Sequence, residues 1–294
     1  MEWTRPFGNT GFTVTALGLG GGQVGNKELS EAEAERFLNN VLDQGITLID
    51  TARGYGLSEE RIGKYISHRR SEFVLSTKVG YSIDGFEDWT PAIIPAGIER
   101  ALKLLKTDVL DVVHLHSCPL ETLKTGGVAE ALVKCKEEGK IKIASYSGEN
   151  EELEWAIQSG LFGSVQTSVN PTDQRSLHNY IPQAAAKGMG VIGKRPNSNA
   201  FWTHASRPIG DYSEEYWVRW HAMKASADGM DMQELVVRFA THAPGVSTAI
   251  FGTANVDHFN KNIELAKKGP LPEELIDSLT TAFKAHDKGW TGQI

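Results

Sequence analysis

The sequence has almost no cysteine. Cys118 and Cys135 are its only two, in no metal-ligand spacing. Two cysteines cannot build a disulfide framework, so a reducing compartment is expected. Long apolar runs are also missing: nothing approaches the ~18 residues of a membrane span. The opening Met1-Glu2-Trp3-Thr4 has no basic segment followed by an apolar one and does not read as a secretory signal. There is no basic stripe either. The formal net charge is −7 with both signs interspersed, which argues against a surface that tracks nucleic-acid phosphates. These absences favour a cytoplasmic protein that meets a small molecule rather than a nucleic acid or a membrane.

What the chain does have is a large apolar fraction, 40% of its residues, enough for a sizeable core. Trp3 to Phe7 and Phe12 to Leu17 flank the turn Gly8-Asn9-Thr10-Gly11, which reads as a hairpin. Strand-like and helix-like segments then alternate. The strand candidates are Ala16–Gly21, Thr47–Ala52, Phe73–Val79, Val109–Ser117, Ile141–Gly148, Ser164–Asn170, Gly190–Pro196 and Ser247–Thr253. Between them lie narrow apolar stripes such as Ala34, Phe37, Leu38, Val41 and Leu42, opened by a Ser30/Glu33 capping box. Ser58 is expected to cap the next helix. Such alternation implies parallel βαβ units. A doubly wound sheet uses the same alternation, but a count of eight and a leading hairpin that can plug a barrel favour a (β/α)8 TIM barrel over residues 1–294 as one domain. An insertion is expected over 197–229, and an extra C-terminal helix near 272–285.

In such a barrel the chemistry sits at the C-terminal strand ends, and residues two apart on a strand share a face. Asp50 ends the second strand, Lys78 the third and His116 the fourth. Ser147 and Lys194 lie at the ends of the fifth and seventh, and Gln166 shares a face with Ser168 and Asn170 on the sixth. Charged side chains inside a packed barrel need a partner or a task. An ion pair of Asp50 with Lys78 that merely closes the barrel top would satisfy that rule, but Tyr55, in the turn Gly54-Tyr55-Gly56 just past Asp50, can reach the same centre. Hydride delivered to a carbonyl carbon builds charge on its oxygen, which needs a proton and a donor cluster. Tyr55 can give the proton, Lys78 favours the anion left behind, Asp50 holds Lys78, and His116 can orient the carbonyl.

These motifs resemble the aldo-keto reductase superfamily. Ile49-Asp50-Thr51-Ala52-Arg53-Gly54-Tyr55-Gly56 is similar to its signature around the catalytic Asp and Tyr. Ser76-Thr77-Lys78 resembles its catalytic-Lys strand, and Asp111-Val112-Val113-His114-Leu115-His116 its catalytic-His strand. The resemblance implies an NAD(P)H-dependent oxidoreductase that reduces an aldehyde or ketone, with NADP(H) expected ahead of NAD(H). By the same resemblance, Ser147 and Gln166 contact the nicotinamide carboxamide, although Gly148 stands where the family usually has Asn. Lys194-Arg195-Pro196 replaces a common Tyr-Ser-Pro, so Lys194 either covers the nicotinamide with its stem or meets the pyrophosphate with its charge. Gly252, Thr253 and Asn255 form a turn that opens a helix containing Asn262, suited to a phosphate. His258 aligns with the family's adenosine-phosphate Arg. Trp89 and Trp202, just past the third and seventh strands, are the expected substrate-pocket aromatics.

Two rival readings exist. His114-x-His116 on a barrel strand resembles half of a metal site, but strands five, six and eight end in Ser147, Asn170 and Thr253, which leaves the ligand set short, so no metal is expected. A reductase-like barrel that binds cofactor as a sensor or subunit would keep the same catalytic residues, and turnover distinguishes it.

Overall fold

The computed structural model describes residues 2–293. A hairpin of β1 (Thr4–Pro6) and β2 (Thr13–Thr15) precedes eight parallel strands closed into a barrel. The barrel strands are β3 (Leu17–Gly20), β4 (Leu48–Asp50), β5 (Val74–Val79), β6 (Leu110–His116), β7 (Ile141–Ser147), β8 (Ser164–Ser168), β9 (Gly190–Lys194) and β10 (Thr248–Gly252). They pair in sequence order, and β10 closes on β3. Each falls inside its expected segment and is shorter by one to three residues, because the flanking residues run past the ladder. The architecture is therefore the (β/α)8 barrel with an N-terminal hairpin that the alternation implied.

The helices are α1 (Glu31–Asp43), α2 (Ser58–Tyr65), α3 (Ile93–Leu105), α4 (Leu120–Thr125), α5 (Val128–Glu137), α6 (Asn150–Ser159), α7 (Arg175–Asn179), α8 (Ile181–Ala186), α9 (Glu214–Met223), α10 (Met232–Thr241), α11 (Val256–Lys267) and α12 (Glu273–His286). The capping box of α1 forms in full: Glu33 N donates to the Ser30 side chain, and Ser30 N to Glu33. Ser58 does not cap α2. It is the first helical residue, and its hydroxyl accepts from Thr51 Oγ1 at 2.8 Å instead. The insertion after β9 carries a short 3-10 segment, Ser198–Thr203, and α9. The extra C-terminal helix is α12.

Two cores result. The larger lies between the barrel and its helices and includes Phe37, Leu38, Val41, Ile98 and Leu132. The smaller lies inside the barrel, where Phe7 and Val14 of the hairpin region meet Leu48, Val74, Val112 and Ile143. Burying a side chain the size of Phe7 stabilises by about 1.5–3 kcal/mol, so the hairpin is held as a plug by its own apolar residues. Two residues further along each strand, on the same face, polarity takes over: Leu48 gives way to Asp50, Val74 to Ser76 and Lys78, Val112 to His114 and His116, Ile143 to Ser145 and Ser147. The interior is thus apolar at the plugged end and ionisable at the other.

Candidate active site

Strand register brings the catalytic candidates together. Asp50 pairs with Ser76 across β4–β5, Lys78 with His114 across β5–β6, His116 with Ser147 across β6–β7, and Ser147 with Gln166 across β7–β8. At their centre Lys78 Nζ donates to Asp50 Oδ2 at 2.5 Å and to the Thr51 carbonyl at 2.9 Å. Ser76 Oγ donates to Asp50 Oδ1 at 2.7 Å. Asp50 and Lys78 are buried almost completely. Such burial disfavours the Lys78 charge, yet Asp50 and Tyr55 outweigh it and raise the lysine above its ordinary value, so it stays an ammonium.

Tyr55 joins this pair from the turn after β4. The turn is seated by backbone contact: Leu57 N donates to the Gly25 carbonyl at 3.1 Å, and a Cβ on Gly25 would meet the Tyr55 carbonyl oxygen at 1.6 Å. Only glycine allows that approach. Lys78 Nζ lies 4.8 Å from the Tyr55 ring centroid, and the ring stands edge-on to His116 with centroids 6.0 Å apart. Burial, then the charges of Lys78 and Lys194, push His116 down to about 2, so its imidazole is neutral. His114, fully buried beneath it, is pushed down to about 3 by burial above all and touches Ser76 Oγ through Nε2 at 2.9 Å. It is an interior packing residue, and among the described residues no group of three His, Cys, Asp or Glu side chains is arranged to hold a metal.

A cleft of about 700 Å³ opens above these groups, lined among others by Gly20, Tyr55, His116, Ser147, Gln166 and Lys194. Its floor fits a nicotinamide carboxamide. Ser147 Oγ donates to Gln166 Oε1 at 2.8 Å, which fixes the amide and leaves the buried Gln166 Nε2 without a hydrogen-bond partner among the described residues. A buried orphan donor costs about 1–3 kcal/mol unless something accepts from it, and a carboxamide oxygen is such an acceptor. Gly148 has its own local reason: a Cβ there would meet the Tyr146 hydroxyl at 2.4 Å, so the family's usual Asn does not fit beside this tyrosine.

Lys194 lines the cleft and has an acidic partner that its sequence position does not show. Its ammonium lies 3.3 Å from Glu149 Oε1, leaving the stem along the cleft wall. Glu149 is buried and also accepts from Thr167 Oγ1, Ser168 N and Ser168 Oγ. Arg195 stacks on the Tyr212 ring at 4.9 Å and contacts its hydroxyl. Around it Arg195, Ser198, Asn199 and Ala200 all have left-handed backbone, strain of the kind that gathers at ligand clamps.

Past Gly252 a second groove of about 730 Å³ continues the cleft and is lined by Thr253, Asn255, Arg36, Glu28, Glu33 and Asp257, among others. The Asn255 side chain is committed to capping α11, accepting from His258 N at 3.0 Å. His258 is exposed and lies outside the groove lining. Asn262 is buried, its oxygen accepting from Gln233 Nε2 at 2.8 Å. Trp89 and Trp202 line neither cavity; both pack against the larger core, Trp202 edge-on to Phe201 and Trp89 behind Tyr81. Sequence reasoning passed over Tyr81, Glu149 and Arg36. Glu149 had one visible signal, a charge immediately past a strand end.

The family model described as Aldo/keto reductase family matches residues 16–283. The chain belongs to that family. Among curated relatives, the uncharacterized oxidoreductase YqkF of Bacillus subtilis is 28% identical, covering 96% of this chain and 98% of the relative. Pyridoxal 4-dehydrogenase of Microbacterium luteolum is 41% identical over 244 residues, 64% of this chain and 68% of that one. Among solved structures, the holo form of an aldo-keto reductase from Bacillus halodurans superposes with a TM-score of 0.79, covering 96% of each chain at 23% identity, a likeness of fold. The chain is thus an oxidoreductase of a family that works on carbonyls with nicotinamide cofactors. No helix among the described residues is long and apolar enough to cross a membrane.

Proposed function

We propose that the chain reduces a small aldehyde or ketone to the alcohol, reversibly, with NAD(P)H as the reductant and Tyr55 as the proton donor. The bound nicotinamide supplies the hydride. Charge that builds on the carbonyl oxygen meets a donor cluster already formed. Tyr55 gives that oxygen its proton, the Lys78 ammonium compensates the charge left on Tyr55, and Asp50 keeps Lys78 in position. Neutral His116 donates a hydrogen bond that orients the carbonyl. The observation that carries this reading is the buried Asp50–Lys78 pair beside the Tyr55 ring, opening onto a cleft floored by the orphan Gln166 donor. The test is a panel of aldehydes and ketones, pyridoxal among them because a relative is named for it, followed by loss of reduced-nicotinamide absorbance. Cofactor binding without turnover of any carbonyl would leave the sensor or subunit reading.

For the cofactor we propose NADPH ahead of NADH. Support comes from the groove past Gly252, where Arg36 makes no salt bridge among the described residues and the N-terminus of α11 opens. A guanidinium and a helix N-terminus both suit a 2′-phosphate. Glu28, Glu33 and Asp257 share that groove and oppose the phosphate, so the preference is expected to be modest, about 5- to 20-fold in Kd, on the scale of one or two kcal/mol for an exposed charge-assisted contact. Titrations of wild type and Arg36→Ala with both cofactors check it. Arg36→Ala should bind the two alike; wild-type protein that already binds them alike would make NAD(H) the better reading.

A further inference from the structure

One contact in the site has no part in the mechanism so far. The Tyr81 hydroxyl lies 2.7 Å from His116 Nδ1. We propose that Tyr81 is a positioning residue: it donates to Nδ1, confines His116 to the tautomer with hydrogen on Nε2, and thereby fixes the donor that faces the substrate carbonyl.

A neutral ring carries one N–H and one lone pair, and whichever nitrogen is bonded outside the site decides what the other offers to it. His116 is held neutral by burial and by the nearby lysines. Nδ1 is its one hydrogen-bonded nitrogen among the described residues, and Nδ1 is also the only hydrogen-bond partner there of the Tyr81 hydroxyl. That hydroxyl keeps its proton, since burial raises Tyr81 above its ordinary value. With no competing acceptor among the described residues, its hydrogen goes to Nδ1. The lone pair of the ring is thereby used, and the hydrogen of the ring is left on Nε2.

Neighbouring residues hold Tyr81 in that geometry. Its ring lies 5.5 Å from the His116 ring, tilted by 32°. Behind it stands Trp89, with centroids 6.0 Å apart. Trp89 itself rests on Gly80: Trp89 N donates to the Gly80 carbonyl at 2.8 Å, and a Cβ on Gly80 would meet the indole at 2.1 Å. On the other side, Gly54 leaves room for the Tyr81 hydroxyl, which a Cβ there would meet at 3.0 Å. The aromatic expected to line the substrate pocket, Trp89, therefore acts one step back, as the backing of the residue that orients His116.

The catalytic consequence rests on the reductase reading, but the tautomer does not, so the test separates them. Protein labelled with nitrogen-15 in its histidines is compared as wild type and Tyr81→Phe, with His116 assigned by the signal that His116→Asn removes. Phe keeps the ring against Trp89 and His116 and removes only the hydroxyl. Wild type is expected to show an unprotonated Nδ1 and a protonated Nε2, and Tyr81→Phe an averaged pair of nitrogens. In carbonyl reduction, kcat of the variant should fall about 3- to 10-fold, the equivalent of one ordinary hydrogen bond, with cofactor Kd unchanged. The same Nε2–H tautomer in both proteins would overturn the proposal whatever the kinetics. A tautomer that changes in a protein without turnover would uphold it and refute the reductase reading instead.

Discussion

Tyr55→Phe is expected to lower kcat for carbonyl reduction by about 10²–10⁴-fold, the usual loss of a general acid, or more if the site acts as a coupled unit. Cofactor binding should be unchanged. Phe retains the ring that stands edge-on to His116 and lies under Lys78, so the site keeps its packing and loses only the proton. The seat of the turn is backbone, between Gly25 and residues 55–57, and the substitution does not touch it. Steady-state reduction of an aldehyde measures kcat, and calorimetric titration with NADPH measures Kd on the same samples. Turnover within a few fold of wild type would remove Tyr55 from the mechanism.

The second large effect comes from Lys78→Met, which is expected to cost both activity and stability. Met matches the length of the lysine stem but leaves Asp50 buried with Ser76 as its remaining side-chain donor. Breaking a buried ion pair from one side costs roughly 3–5 kcal/mol, because an uncompensated charge remains. The double variant Asp50→Asn/Lys78→Met removes that charge as well, so most of the lost Tm should return. Its activity should not return, because no ammonium remains beside Tyr55 to offset the charge left when the proton moves. Thermal unfolding and turnover, measured on wild type and both variants, separate the two roles. A single variant as stable as wild type would mean that the pair is not buried in the way described. A double variant with restored turnover would make Lys78 structural.

The barrel was legible because its signal is local. Each strand is a short apolar or β-branched run, and the i, i+2 rule alone puts Asp50, Lys78 and His116 on inward faces. The helix α3 was less visible: Pro95 interrupts its first turn, where proline is tolerated, and the buried Ile93, Ile94, Ile98 and Leu105 around it carry the face. What the sequence could not reveal is pairing across the chain. Glu149 meets Lys194 only because β7 and β9 both flank β8 in a fixed register. Tyr81 meets His116 only because the chain turns at Gly80 behind Trp89. The motif after β10 hides engagements of the same kind. Asn255 and Asn262 are the right residue types for a ligand, yet their side chains are occupied by α11 and by Gln233. Residue type was readable; prior engagement was not.

The Glu149–Lys194 pair also constrains how this chain can have descended. A Tyr at 194, the commoner residue of the family, would strand a buried carboxylate with hydrogen bonds but no cation. Neutralising Glu149 first would strand the ammonium, which has no other acidic partner among the described residues. Either single step is expected to lower stability until the second follows. Gly148 belongs to a second such pair, since its small size answers to the Tyr146 hydroxyl. Positions 149 and 194 are therefore expected to change together, and so, separately, are positions 146 and 148.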